Sequence, residues 1–411
     1  MDRKILHCDI NNCYASIECM LNPYLSDKPI IVGGSESDRH GIVLAKNENA
    51  KEFGIKTGEP IVSAKTKCKN LIIVSPHYNQ YIKYSNMCKD IYYKYTNQVE
   101  SFGIDEAWLD CSGSTSLFGD ESTIAYLIKE EIKQKIGITI SVGVSFNKIF
   151  AKLGSDMNKP DGLTIIRKDN FREKIWCKNV SALLGVGPST ANKLYSYGIN
   201  TIGDLANTNV DFIKSLLGKN GLKLHSYANG NDTSIVYDRL YTPSPKSIGR
   251  GYTFQKDLHS LDEIYLGTYE IVYMMTNDLK SKGLKTNKID ISIRMPNLTW
   301  IQFSKNLDNP TNSPSIIADA AFSTIKNKFD ISKKIRALSI RATQLKDKID
   351  YYQITIDDYI NDKHKITIAD DLMYKLNNKF GKSTIKKCSN LINSYICKDI
   401  PENIKLPYYH L

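Results

Sequence analysis

Three carboxylates stand in surroundings that do not suit them. Asp9 lies near the end of a short apolar run, Lys4 to Ile10, while Asp105 and Glu106 interrupt SFGIDEAWLD, whose Phe102, Ile104, Trp108 and Leu109 favour burial. A charged pair left dry costs several kcal/mol unless a cation compensates it. A surface β-turn exposing both acids would avoid that cost, and it is the ordinary fate of a lone Asp-Glu pair. The chemical alternative is a site for two divalent ions. Mg²⁺ takes hard oxygen ligands and completes its shell from water and substrate phosphates, so a few carboxylates suffice for phosphoryl transfer. In a regular strand Asp105 and Glu106 would point to opposite faces; a shared site needs a turn or bulge, which Gly103 makes feasible.

Two groups of residues suit anions instead. Lys148, Lys152 and Lys159 surround the segment NKIFAKLGSDMNKPDG. The first two read as the solvated face of an amphipathic helix, whereas Lys159 sits in a Pro/Gly turn from which a lysine can reach a triphosphate as a point charge. Lys51, on a helix that Gly54 interrupts, is a similar candidate. Gly185-Val186-Gly187 followed by Pro188 reads as a hairpin opening a helix, a geometry that aims backbone N–H groups at a DNA phosphate without reading bases. A merely tight turn is the alternative.

The elements that must position these residues follow from periodicity. Lys4 to Ile10 is a strand, and from Asn11 the spacing of Tyr14, Ile17 and Leu21 turns helical. PIIVGG, GIVLAK and LIIVSP read as strands, Tyr78 to Tyr95 as a Tyr-rich helix, and GITISVGVS as a half-buried strand. Asn147 caps a helix with Ile149, Leu153 and Met157 on one face and Lys148, Lys152 and Asp156 on another. Residues 169–237 carry helical patterns only. After the Pro/Ser linker YTPSPKS, the strands DISIRM, WIQFS and RALSIRA alternate with helical segments in a second α+β unit. From about Lys346 the pattern weakens into YQITIDDY and a helical DDLMYKLNNKF.

At 411 residues the chain should divide into several domains, and 55 basic against 44 acidic side chains, a net charge of +11, favour a polyanionic partner without requiring one. The nine cysteines are scattered, with no zinc spacing, which points to reduced thiols. The N-terminal apolar run is too short for a signal peptide and no segment is long and apolar enough to span a membrane, so the expectation is a soluble cytoplasmic protein.

Taken together, ILHCDINNCYASIE, GIVLAKN, SFGIDEAWLD, SVGVSFNKIFAKLGSDMNKPDG, LLGVGPSTANKL and KSIGRGYTF, in that order, resemble the Y-family DNA polymerases of the DinB/UmuC type over roughly residues 4–345. The resemblance implies an α+β, multidomain right-hand polymerase: a palm of residues 1–22 and 78–168, fingers 23–77, a helix-hairpin-helix thumb 169–237, a linker 238–246, a little finger 247–345 and a tail 346–411. It also implies that Asp9, Asp105 and Glu106, with the Ile10 carbonyl, hold two Mg²⁺. Tyr14 falls at the steric gate that excludes a ribose 2′-hydroxyl. Backbone amides of Asn12, Cys13 and Tyr14, with Lys51 and Lys159, hold the triphosphate, and Gly185, Gly187 and Ser189 grip DNA. Ala45, Glu48 and Lys51 depart from the Thr, Tyr and Arg of better-known DinB enzymes and approach the UmuC-like A-[RK]-N pattern; Lys in place of Arg gives up bidentate phosphate geometry. Gln353, Ile354 and Ile356 resemble the start of a sliding-clamp peptide, with Asp357 where its aromatic anchor belongs; a plain edge strand is an equal reading.

The implied activity is template-directed, low-fidelity DNA synthesis past damaged bases, without proofreading. The implied partners are primer-template DNA, deoxynucleoside triphosphate and the clamp, with no membrane and a monomeric protein. A non-catalytic helix-hairpin-helix DNA-binding protein is the rival, and it gains nothing from three acids near a phosphate backbone. A two-metal nuclease is disfavoured by Tyr14 and the finger unit.

Overall fold

The computed structural model of the protein describes residues 2–34, 41–241, 243–347, 363–381 and 384–387. They form two compact units, divided after Tyr241. The first is built on a five-stranded sheet of order β5-β6-β1-β7-β8, in which β1 (Ile5–Ile10) lies between β6 (Glu106–Asp110) and β7 (Ile140–Ser145), with β5 (Val99–Phe102) and β8 (Leu163–Ile166) at the edges. Only the β7–β8 pair is parallel. Register places Asp9 beside Glu106 on one side and Ser141 on the other, and His7 beside Trp108 and Gly143.

Alternation along β1 sends Leu6, Cys8 and Ile10 to one face of this sheet, where they join the core formed with α4 (Tyr78–Tyr95) and α6 (Glu121–Ile136). The opposite face is covered by α7 (Lys148–Met157), whose N-cap Asn147 accepts from the Phe150 amide. β7 is therefore buried on both faces rather than half-buried. Its small residues, which alternation assigns to solvent, instead let the helix approach: a Cβ at Gly143 would lie 2.0 Å from the Ala151 carbonyl oxygen.

A three-stranded sheet of order β3-β2-β4 comprises β2 (Ile30–Gly33), β3 (Val43–Lys46) and β4 (Ile72–Val74). With it come α1 (Cys13–Leu21), and α2 (Glu48–Glu52) and α3 (Ile61–Lys67) on either side of Gly54. The short α5 (Thr115–Phe118) precedes α6. Four further helices, α8 (Phe171–Ile175), α9 (Pro188–Tyr195), α10 (Ile202–Asn207) and α11 (Val210–Ala228), share one core with Ile149, Phe150 and Leu153 of α7. VSALL, which reads as a short helix, is a single 3-10 turn.

The second unit is an antiparallel sheet of order β11-β10-β12-β9, formed by β9 (Ile248–Leu258), β10 (Leu284–Arg294), β11 (Trp300–Thr311) and β12 (Ile335–Asp347). It packs on α12 (Leu261–Ser281) and α13 (Pro314–Lys328). Sequence periodicity misses β9, whose Gly249 and Gly251 lie against Arg341 and Ser339 of β12 and break the hydrophobic pattern. The helical tail begins earlier than its sequence pattern suggests, as α14 (Lys363–Phe380), and its buried Asp370 accepts from the Ser313 and Ser315 hydroxyls at the start of α13. Gln353, Ile354 and Ile356 lie outside the described residues. No helix among the described residues is long and apolar enough to cross a membrane.

Candidate active site

Between Phe102 and Glu106, which pair across the β5–β6 hairpin, the chain reverses through Gly103, Ile104 and Asp105. Gly103 takes φ +92°, a conformation costly to any residue with a Cβ. SFGIDEAWLD is thus two strands and a turn, so the two acids escape the opposite-face rule. The Ile10 amide donates to the Asp105 carbonyl at 3.0 Å, and the Ser85 hydroxyl donates to the Ile104 carbonyl, which ties the turn to the end of β1. Asp9, Asp105 and Glu106 consequently line one cleft of about 340 Å³, together with Ile10, Asn12, Cys13, Tyr14 and Lys159. Leu44, Ala45 and Lys46 of β3, with Thr57, line it from another side.

Asn12, the N-cap of α1, adopts a left-handed φ of 48° and its side chain makes no capping bond; with Cys13 and Tyr14 at the start of the helix it lines the cleft. The Tyr14 ring stacks on Tyr81 with centroids 4.3 Å apart and meets the edge of Tyr78 at 5.9 Å, contacts that fix its direction. Lys51 does not join this group. Its ammonium is 3.4 Å from Glu48, one helical turn back, and about half of its side chain is in solvent. Glu48 in turn accepts from the Asn12 side-chain amide at 2.9 Å. Lys46 and Thr57, which sequence reasoning passes over, take the wall position instead.

The solvated lysine face expected of α7 is absent. Lys148 is buried and pairs with Glu100 at 2.7 Å, while Lys152 lies 2.9 Å from Glu106, 3.4 Å from Asp9 and 3.2 Å from Asp156. Lys159 reaches Asp9 at 2.6 Å and Asp156 at 2.7 Å. Burial works against the Lys152 charge, but Glu106, Asp156 and Asp9 outweigh it and raise its pKa. His7, another residue that sequence reasoning misses, is wholly buried two positions before Asp9 on the same face of β1. Its Nδ1 is 2.8 Å from the Ser155 hydroxyl, and burial pulls its pKa down to about 4, so the ring is neutral at pH 7. The signal for both is the period of two through His7 and Asp9 and the period of four through Lys148 and Lys152; no local pattern says that they meet.

Burial, then the neighbouring Glu106, pushes Asp9 up to about 7 even with two lysines beside it. Burial and Glu106 raise Asp105 as well, and no ion pair engages its carboxylate among the described residues. For Glu106 burial is opposed and outweighed by His7 and Lys152, giving about 2. Lys152, charged and aligned, is the stronger reason, because His7 Nε2 lies 3.3 Å from Glu106 Oε2 without hydrogen-bond alignment and both atoms lack a hydrogen-bond partner. Donor atoms of His7, Asp9 and Glu106 fall within 4.8 Å of one another, and Asp105 adds a further carboxylate to the cleft wall. Acids that stay under-compensated, offering mostly hard oxygen donors, fit a divalent cation.

Comparison with known proteins shows the family. Residues 8–156 match the impB/mucB/samB family, residues 245–356 match the C-terminal domain of that family, and residues 181–232 match the thumb domain of DNA polymerase-iota. A DNA polymerase IV of Acetivibrio thermocellus is 44% identical, with 94% of this chain and 97% of the relative aligned. The chain belongs to the Y-family of DNA polymerases. As a Y-family member it is a DNA-directed DNA polymerase of the translesion class, and divalent metal use follows from that membership. A second relative, DNA polymerase IV of Moorella thermoacetica, is 36% identical over 78% of this chain and 80% of its own length. A Y-family DNA polymerase chimera shares the fold, with a TM-score of 0.72 over 83% of this chain and 98% of its own, at 24% identity. In the thumb-like region of this Y-family chain, Gly185 takes φ +94°, Gly187 is the N-cap of α9, Pro188 opens the helix and Ser189 is exposed.

Proposed function

We propose that the cleft is where this translesion polymerase adds deoxynucleotides to a primer end, with Asp9, Asp105, Glu106 and the Ile10 carbonyl holding two Mg²⁺. The observation that carries this reading is the Gly103 turn, which delivers Asp105 and Glu106 to the strand end beside Asp9. When bound, the ions would acidify the primer 3′-hydroxyl and stabilise the departing pyrophosphate. The protein's own groups do the rest. The backbone amides of Asn12, Cys13 and Tyr14 receive phosphate oxygens, as does Lys159 once it leaves Asp9. Lys152 keeps Asp9 and Glu106 oriented, and Tyr14, braced by Tyr81, closes the space that a 2′-hydroxyl would need.

In the same reading residues 1–22 and 78–168 are the palm, 23–77 the fingers, 169–237 the thumb, 238–246 a linker, 247–345 the little finger and 346–411 a tail. Gly185, Gly187 and Ser189 hold a phosphate of the primer-template. The enzyme acts as a cytoplasmic monomer, and clamp docking through Gln353, Ile354 and Ile356 rests on sequence alone. Synthesis is of low fidelity because nothing in this assignment proofreads.

The test is extension of a labelled primer on an undamaged template and on one with an abasic site, with Mg²⁺ and each deoxynucleotide in turn. Extension on both supports the reading; DNA binding without extension would leave the non-catalytic binder. Tyr14→Ala should raise ribonucleotide incorporation roughly tenfold or more relative to deoxynucleotide, and unchanged sugar discrimination would remove Tyr14 from the gate.

A further inference from the structure

We propose that Lys46, rather than Lys51, is the finger-side cation that binds the phosphates of the incoming nucleotide; this rests on reading the cleft as the nucleotide site. Lys46 is the last residue of β3, where pairing with Ile31 of β2 fixes its backbone, and it lines the same cleft as Asp9, Asp105 and Glu106. Among the described residues its ammonium makes no ion pair. Its polar partner among the described residues is the Thr57 hydroxyl at 3.3 Å, itself on the cleft wall. The two together present one charged donor and one hydroxyl toward the space between the fingers and the start of α1.

The neighbouring cations are already engaged. Lys159 is held by Asp9 and Asp156, and Lys51 by Glu48, with about half of its side chain in solvent and off the cleft wall. Burial, followed by the nearby Lys51, lowers the pKa of Lys46, so its charge sits in the cleft at a cost that an arriving polyanion would relieve. Glu48 and Glu59 lie near enough to favour the Lys46 charge but form no ion pair with it among the described residues, and phosphate is the chemistry that answers a lysine and a hydroxyl placed together on a cleft wall. Two sources could supply it, the nucleotide and a DNA backbone. Sharing one cleft with Asp9, Asp105, Glu106 and the start of α1 favours the nucleotide, since Lys46 and the helix start would grip the same group.

The full chain and its Lys46→Ala, Lys46→Arg and Lys51→Ala variants would be compared by single-nucleotide incorporation and by anisotropy of a labelled primer-template. Lys46→Ala should raise the nucleotide KM about tenfold or more, the loss of one charge-assisted contact, with kcat and DNA affinity held within about twofold. Lys46→Arg should recover most of the loss, and Lys51→Ala should move KM by less than about threefold. An unchanged KM in Lys46→Ala, or a larger effect in Lys51→Ala, would overturn the assignment. A fall in DNA affinity with KM unmoved would transfer Lys46 to the DNA backbone and overturn it too. Absence of extension by the unaltered protein would instead sink the assignment of the cleft as the polymerase site, and the role of Lys46 with it.

Discussion

On the α4/α6 face of the first sheet, Leu6, Cys8, Leu109 and Val142 are closed off from solvent together with Ile124, Ile128 and Ile132. On the α7 face of the same strands, His7, Asp9 and Glu100 are buried and Glu106 partly so, packed against Lys148, Lys152 and Ser155. The first face gains about 25 cal/mol for each Å² of apolar surface removed from water. The second loses solvation at each charge and recovers it only through paired partners. A strand supplies both at once because its side chains alternate, so one β1 can anchor a core with Leu6 and Cys8 while holding Asp9 for chemistry. The face that is poorer for folding is the one that can bind cations, the usual exchange of stability for a functional site.

Substitutions on the two faces should therefore behave differently. The largest stability effect is expected for Lys148→Met, which leaves Glu100 buried without its cation and should cost roughly 3–5 kcal/mol in denaturant unfolding. A loss below about 1 kcal/mol would mean that water already screens that pair. Leu109→Ala on the apolar face should cost about 3 kcal/mol yet leave the nucleotide KM of the folded protein unchanged; a shifted KM would show that the faces are not independent.

A smaller effect is expected in the pH dependence of Tm for the metal-free protein. Folded Asp9 binds its proton more tightly than unfolded Asp9, so its contribution to stability is lost as pH climbs from 3.8 to about 7. Glu106 acts oppositely, its contribution being present above 4.5 and lost as pH falls toward 2. Asp9→Asn should flatten the decline between pH 3.8 and about 7, and an unaltered slope would remove Asp9 as its source.

Much of this contrast is legible in the amino-acid sequence. Hydrophobic alternation marks β1, the Tyr-rich stretch marks α4, Asn147 marks the start of α7, and Gly103 marks the one place where Asp105 and Glu106 can turn toward each other. Lys148 and Lys152 are misread because hydropathy alone assigns a lysine on an amphipathic helix to water. Their acids lie in β5, β1 and β6, and only the close approach of α7 over Gly143 brings them together. The same approach hides Ser141 and Gly143, which is why β7 is buried on both faces. Lys51 does lie on α2, as its helical surroundings suggest, but the carboxylate three residues before it, Glu48, decides where its charge goes.

Single-nucleotide incorporation by Asp105→Asn, measured with Mg²⁺ beside the Tm of the same preparation, tests the central claim most directly. Asp105 is a partly buried acid with a raised pKa and no ion pair among the described residues, so an amide there should leave Tm unchanged or higher. Incorporation should fall at least about a thousandfold, as expected when charge stabilisation by a bound ion is lost. Incorporation at the unaltered rate, or a Tm that drops while incorporation survives, would make the acidic face structural and contradict its assignment as the polymerase site.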